Sequence, residues 1–216
     1  MSLDKEKLLL YGITDRKCLG GRSLYEQTEA ALKGGVTLLQ LREKNISREE
    51  FVKEAEQIKE LCDRYHVPLI INDDVETALQ IGAAGVHVGQ KDMEASQARK
   101  RLGENRILGV TARTMEQALR AQQDGADYLG VGAVFHTDSK KDAVDLDWNV
   151  LKEICATVDI PVVAIGGINN DNVLRLSGTG IDGVAVISGI FGQEDVENTA
   201  RIMRQKVNEI VEKRGR

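Results

Sequence analysis

Short apolar runs rich in Val, Ile and Leu alternate with amphipathic segments along the whole chain, and this alternation most limits what the chain can fold into. The runs are LLLYGIT (8–14), TLLQLRE (37–43), PLIIND (68–73), GVHVG (85–89), RILGVTA (106–112), YLGVGAVF (128–135), PVVAIGG (161–167) and GVAVIS (183–188), eight in all. Between and after them lie SLYEQTEAALKGG, SREEFVKEAEQIKELCDRYH, DVETALQIGA, EASQARKRLG, TMEQALRAQQDGA, DWNVLKEICATV, NNDNVLRLSGTG and VENTARIMRQKVNEIVEKR, each with an apolar stripe suited to covering a sheet. Continuous apolar strands belong in a sheet buried on both faces, which means parallel pairing with helical crossovers. An even βα repetition closes most simply into an eight-fold barrel. An open doubly wound sheet usually carries a Gly-rich dinucleotide turn after its first strand, and GITDRKCLGG lacks that spacing. The expectation is an α/β chain forming a single (β/α)8 TIM-barrel domain over residues 1–216.

A weak internal repeat supports closure. GGVTLLQLR, GAAGVHVGQ, GADYLGVGA and GIDGVAVIS recur at every second strand, with small residues ending a helix before the chain turns inward. Helix-terminal turn chemistry accounts for these glycines.

Composition sets the class of partner. The chain has 216 residues, 42% of them hydrophobic and 29% charged, with a formal net charge of -5 and both signs interspersed. No sustained cationic face is available for nucleic acid or an anionic membrane, so small-molecule substrates are expected, with a homo-oligomer left open. MSLDKEKLLLYG is too short in apolar residues for a signal sequence, and no run approaches a membrane span, so the cytosol is the expected location. Cys18, Cys62 and Cys155 are widely spaced and lack zinc-finger partners, which makes them buried or idle thiols.

In such a barrel the C-terminal strand ends and the loops after them form the active face. Strand two ends in Gln40, Leu41, Arg42, Glu43 and Lys44, strand three in Asn72 and Asp73, and strand four runs on to Asp92. Strand five ends in Thr111, and strand six leads into FHTDSKK (135–141). Two neighbouring carboxylates repel by roughly 4 kcal/mol at 4 Å for an effective dielectric of 20, so a cation is expected between them. Asp oxygens with open positions suit magnesium, which commonly bridges to phosphate oxygens. Taken singly, Asp73 or Asp74 reads as the N-cap of the third helix and Asp92 as that of the fourth. Together with Arg42, Lys44 and Lys140 on one rim, they read as a metal-diphosphate site. Gly166-Gly167 after strand seven and Ile187-Ser188-Gly189 after strand eight can hold a second phosphate through backbone N–H groups.

The segments YGITDR, QLREK, IINDD, GVHVGQKD, GVTART, GAVFHTDSKKDA, AIGGI and GVAVISGIF resemble, in order and spacing, those of the thiamine-phosphate synthase family. The resemblance implies a (β/α)8 transferase joining a hydroxymethylpyrimidine diphosphate to a thiazole phosphate, or its carboxylated form, with release of diphosphate. It implies that Gln40, Leu41, Arg42, Glu43, Lys44, Asn72, Thr111 and Lys140 surround the pyrimidine diphosphate, with Arg42, Lys44 and Lys140 the catalytic cations. Asp73 and Asp92 would hold Mg2+. Thr137, Asp138, Ser139, Gly167, Ile187 and Ser188 would contact the thiazole phosphate. Thr111 stands where the family usually has Ser, His136 replaces a common Pro, Ser139 a common Thr, and Asp74 a frequent Arg. A thiazole tautomerase from a related barrel family would have no use for the whole cationic and acidic set, whereas a silent binder of thiazole or thiamine phosphate stays open and would be expected to lose at least one metal ligand.

Other residues read as structural. His66 sits at a helix end, His87 lies inside a strand as a satisfied core imidazole, and Trp148 follows a helix N-cap at Asp147. The charged C-terminal helix reads as a solvated face.

Overall fold

The computed structural model describes residues 3–44, 46–137 and 146–212. Every expected apolar run contains a strand: β1 (Leu10–Ile13), β2 (Leu38–Leu41), β3 (Leu69–Asn72), β4 (Gly85–Val88), β5 (Ile107–Ala112), β6 (Tyr128–Gly132), β7 (Val162–Ile165) and β8 (Gly183–Val186). Each pairs in parallel with the next, and β8 returns to β1, so the barrel closes in sequence order. Successive side chains point to opposite faces of a strand, and this divides the core in two. Tyr11, Ile13, Leu38, Ile70, Tyr128 and Val163 form the cluster inside the barrel. Leu10, Leu39, Leu41, Ile71 and Val86 belong to the larger cluster beneath the helices.

The covering helices are α1 (Leu24–Lys33), α2 (Arg48–Arg64), α3 (Val75–Gln80), α4 (Ala95–Leu102), α5 (Met115–Gln123), α6 (Trp148–Thr157), α7 (Ser188–Phe191) and α8 (Val196–Glu212). Ser23 with Glu26 and Ser47 with Glu50 form capping boxes that satisfy the first free amides of α1 and α2. In α2 the buried residues Phe51, Ala55, Ile58, Leu61 and Cys62 fall at three- and four-residue intervals, which places them on the face toward the sheet. Asp147 caps α6 as expected, accepting from Asn149 N at 2.9 Å. Among the described residues no helix is long and apolar enough to cross a membrane.

One expected helix is absent. NNDNVLRLSGTG forms only a 3-10 turn over Val173–Leu176. Its asparagines bond locally instead: Asn169 Oδ1 accepts from Asp171 N at 2.9 Å, and Asn172 Nδ2 donates to Gly167 O at 2.8 Å. Such side-chain bonds compete with a helical ladder, and Gly178 and Gly180, at φ 76° and 87°, end the turn.

The repeat proves to involve more than turns. Gly35, Gly82, Gly125 and Gly180 all have positive φ, as the turn chemistry requires. Two residues later, Thr37 Oγ1 accepts from Leu10 N at 2.9 Å, Asp127 Oδ2 from Leu108 N at 2.7 Å, and Asp182 Oδ2 from Val162 N at 2.9 Å. The residue preceding β2, β6 or β8 thus caps a free amide at the start of the preceding strand. Ala84 holds the corresponding place before β4 and has no side-chain acceptor to offer.

Candidate active site

The carboxylates at the ends of β3 and β4 are sorted by backbone geometry. Asp74 takes the capping role, accepting from Thr77 N at 2.9 Å and Thr77 Oγ1 at 2.7 Å. Asp73 is thereby free of it and adopts φ 62°, a left-handed conformation that non-glycine residues seldom take. Its amide donates to His87 O at 2.9 Å, and its carboxylate accepts from Asn72 Nδ2. Asp92 does not cap α4, whose N-cap is Glu94 without a side-chain bond. Instead Asp92 Oδ2 accepts from Gly89 N at 2.8 Å, folding back toward Asp73.

The two acids meet. The Asp73 pKa is raised from 3.8 to about 6, first by burial and then by a hydrogen bond to Asp92 and its charge, while Lys44 and Asn72 pull the other way. Lys44 Nζ lies 3.9 Å from Asp73 Oδ2. The sign follows from proton counting. The folded chain holds more protons than the unfolded chain between pH 3.8 and about 6, so this group's contribution to stability is present below that window and is lost as pH rises through it. Above about pH 6 Asp73 carries its charge beside the Asp92 side chain. Among the described residues no third His, Cys, Asp or Glu joins the pair.

The segment after β2 divides by alternation. Gln40 points into the barrel and is 2% exposed, whereas Leu41 is buried under the helices. Arg42 is anchored by its amide to Thr14 Oγ1 at 3.0 Å and by its guanidinium to Asp15 at 3.5 Å. Its Nε is buried without a hydrogen-bond partner among the described residues. Glu43 turns outward and pairs with Arg16 at 2.6 Å, and burial raises its pKa. Leu41 therefore has only backbone to offer a ligand, while Glu43 Oε1 is buried with no hydrogen-bond partner among the described residues.

A cleft lies across the ends of β5 to β8, lined by Thr111, Thr137, Gly167, Ile187 and Ser188 among others. Gly166 and Gly167 have φ 102° and 64°. A Cβ on Gly167 would sit 2.4 Å from His136 O, so glycine there lets the loops after β6 and β7 close on each other. A Cβ on Gly189 would sit 2.1 Å from Ile168 O, which draws the start of α7 equally close. Asp138, Ser139 and Lys140 lie outside the described residues. Of the other expected site residues, one group gathers at this cleft and another on the β2 to β4 side of the rim.

Four residues beside or beneath the site were not among those expected in it. Arg113, half-buried, lines the same cleft and adds a cation to it. Tyr11 and Tyr128 meet inside the barrel with their hydroxyls 2.9 Å apart. His87, expected to be a satisfied core imidazole, has Nδ1 3.0 Å from the Tyr128 hydroxyl and Nε2 2.9 Å from Thr111 Oγ1. Gly109 and Gly130 make room for this group: a Cβ at Gly109 would meet Tyr128 Cζ at 2.2 Å, and one at Gly130 would meet His87 Cε1 at 3.2 Å. Those two glycines inside strands were the available signal.

Comparison with known proteins gives one answer. The TMP-TENI family, described as thiamine monophosphate synthase, matches residues 10–190. The thiamine-phosphate synthase of Clostridium tetani is 55% identical over 200 residues, 93% of this chain and 96% of that one. Thiamine-phosphate synthase 2 of Streptococcus pneumoniae is 44% identical over 209 residues, 97% of this chain and 100% of that one. The solved structure of thiamine phosphate pyrophosphorylase from Pyrococcus furiosus superposes with a TM-score of 0.89 at 40% identity, covering 96% of this chain and 98% of that one. The chain belongs to the thiamine monophosphate synthase family.

Proposed function

We propose that this chain is a thiamine-phosphate synthase, joining hydroxymethylpyrimidine diphosphate to thiazole phosphate, or its carboxylated form, and releasing diphosphate. One observation carries the reading: an acid pair with Lys44 beside it shares the barrel rim with a glycine-lined cleft. Two anions can therefore be held at once, as this condensation requires.

The pyrimidine diphosphate lies on the β2 to β5 side, against Gln40, Glu43, Asn72, Thr111 and the backbone of Leu41. Arg42, Lys44 and Lys140 surround its diphosphate. The thiazole phosphate is bound by Gly167, Ile187 and Ser188 together with Thr137, Asp138 and Ser139. The bond between the pyrimidine methylene carbon and the diphosphate oxygen breaks, its electrons leaving with the diphosphate. The thiazole nitrogen then donates its lone pair to the methylene carbon. No side-chain nucleophile is needed. The residues hold the nucleophile close and stabilise developing negative charge, including through the partnerless Nε of Arg42.

The acid pair fits Mg2+. Two carboxylates whose mutual repulsion already raises one pKa provide two hard oxygen ligands, leaving the remaining positions to water and substrate oxygens. When bound, the metal would neutralise charge on the leaving diphosphate. The partners are thus small molecules.

The test is product formation by purified protein with each component omitted in turn. Both substrates with Mg2+ should give thiamine phosphate and diphosphate in equal amounts, and either alone should give neither. Isomerisation of the thiazole phosphate alone would favour the tautomerase, and binding without turnover the silent binder.

A further inference from the structure

Five side chains run through the barrel interior in one chain of hydrogen bonds. Gln40 Nε2 donates to the Tyr11 hydroxyl, Tyr11 and Tyr128 share a bond of 2.9 Å, and His87 bridges Tyr128 at 3.0 Å to Thr111 at 2.9 Å. Tyr11 and Tyr128 are fully buried, and His87 is 7% exposed. Gly109 and Gly130 leave the room these rings occupy, since a Cβ at Gly109 would meet Tyr128 and His87 and one at Gly130 would meet His87. The chain is a built feature of the barrel, and its two ends, Gln40 and Thr111, are both substrate-facing residues in the reading above.

Proton counting gives the chain a direction. Each phenol has one proton to donate, and burial pushes both phenol pKa values up, so both keep it. Because the Gln40 amide presents N–H to Tyr11, the Tyr11 proton is left for Tyr128, and the Tyr128 proton then goes to His87 Nδ1. Nδ1 is consequently the acceptor, Nε2 carries the proton, and Nε2–H donates to Thr111 Oγ1. The opposite assignment for the tyrosine pair, with Tyr128 donating, leaves the Tyr11 proton without an acceptor. A complete reversal would require the Gln40 amide to be turned over.

We propose that this interior chain sets the hydrogen-bond polarity of the pyrimidine site, with His87, Tyr128 and Tyr11 acting as positioning residues. Thr111, whose oxygen is already occupied as an acceptor, offers its own proton outward. Gln40, with one N–H on Tyr11, keeps its carbonyl oxygen and its second N–H for the site. The site therefore presents an outward hydroxyl proton at Thr111 beside the held Gln40 amide, which suits a heterocycle carrying a ring acceptor and an amino donor. This rests on the assignment of the pyrimidine substrate to that side of the rim.

The experiment has two arms. The first is nitrogen-15 NMR of the histidine side chains in the ligand-free protein at neutral pH, with His87 assigned by the signal missing from His87→Gln. A neutral ring protonated at Nε2 is expected, and protonation at Nδ1 or at both nitrogens would overturn the proposal. This arm does not depend on activity, so it is separable from the proposed reaction. The second is Tyr128→Phe, which interrupts the chain while keeping the ring. It should raise KM for the pyrimidine diphosphate about tenfold, the scale of one hydrogen bond, and move KM for the thiazole phosphate less than about twofold. Equal changes in both, or none, would reduce the chain to core packing, whereas a wild type that makes no product would count against the proposed function instead.

Discussion

Asp92→Ala is expected to lower kcat for the coupling about a thousandfold, the scale seen when a group that stabilises transition-state charge is removed. The same variant should fold normally. Asp92 is exposed, and its bonds among the described residues are to Gly89 N and to the Asp73 side chain. Its removal also relieves the repulsion that raises the Asp73 pKa, so the metal-free variant should be at least as stable as wild type above about pH 6. A helix cap would behave differently, losing about 1 kcal/mol on replacement by alanine with little change in rate. Single-turnover kinetics together with urea denaturation at pH 7.5 separate the two roles.

The largest effect on stability is expected at the base of the barrel. Gly85 opens β4, and a Cβ there would lie 1.9 Å from Ile107 O and 2.6 Å from Ile107 C, both backbone atoms. The neighbouring strand cannot yield without disturbing the register that holds β4 to β5. Gly85→Ala should therefore cost about 3 kcal/mol or more. Gly82, three residues earlier, has nothing within 4 Å of its Cβ position and only a positive φ of 66°. Gly82→Ala should cost about 1 kcal/mol. Urea titrations of the two variants compare close approach with backbone conformation directly.

The fold was legible because its signals are local and repeated. A strand such as Val162–Ile165 is apolar throughout, as burial on both faces demands, and eight such runs spaced by amphipathic segments leave few closures. The Val173–Leu176 turn was misread as a helix because its apolar spacing is helical, while the asparagine bonds that prevent a helix depend on the path of the loop before it. The acid pair was visible as two strand-end carboxylates, yet only the backbone reveals that Asp74 takes the cap and leaves Asp73 to meet Asp92. Tyr11 and Tyr128 were hidden for a different reason. In sequence they are ordinary strand aromatics, separated by 117 positions, and only barrel closure joins their hydroxyls.

The central claim is that Asp73 and Asp92 form half of a cation site that a diphosphate completes. Calorimetric titration of Mg2+ into the protein, with and without diphosphate, between pH 5 and 8, tests it most directly. The account predicts weak binding alone, much tighter binding with diphosphate, and loss of affinity below about pH 6 as Asp73 takes up its proton. Mg2+ affinity that ignores both diphosphate and the Asp92→Ala substitution would contradict it.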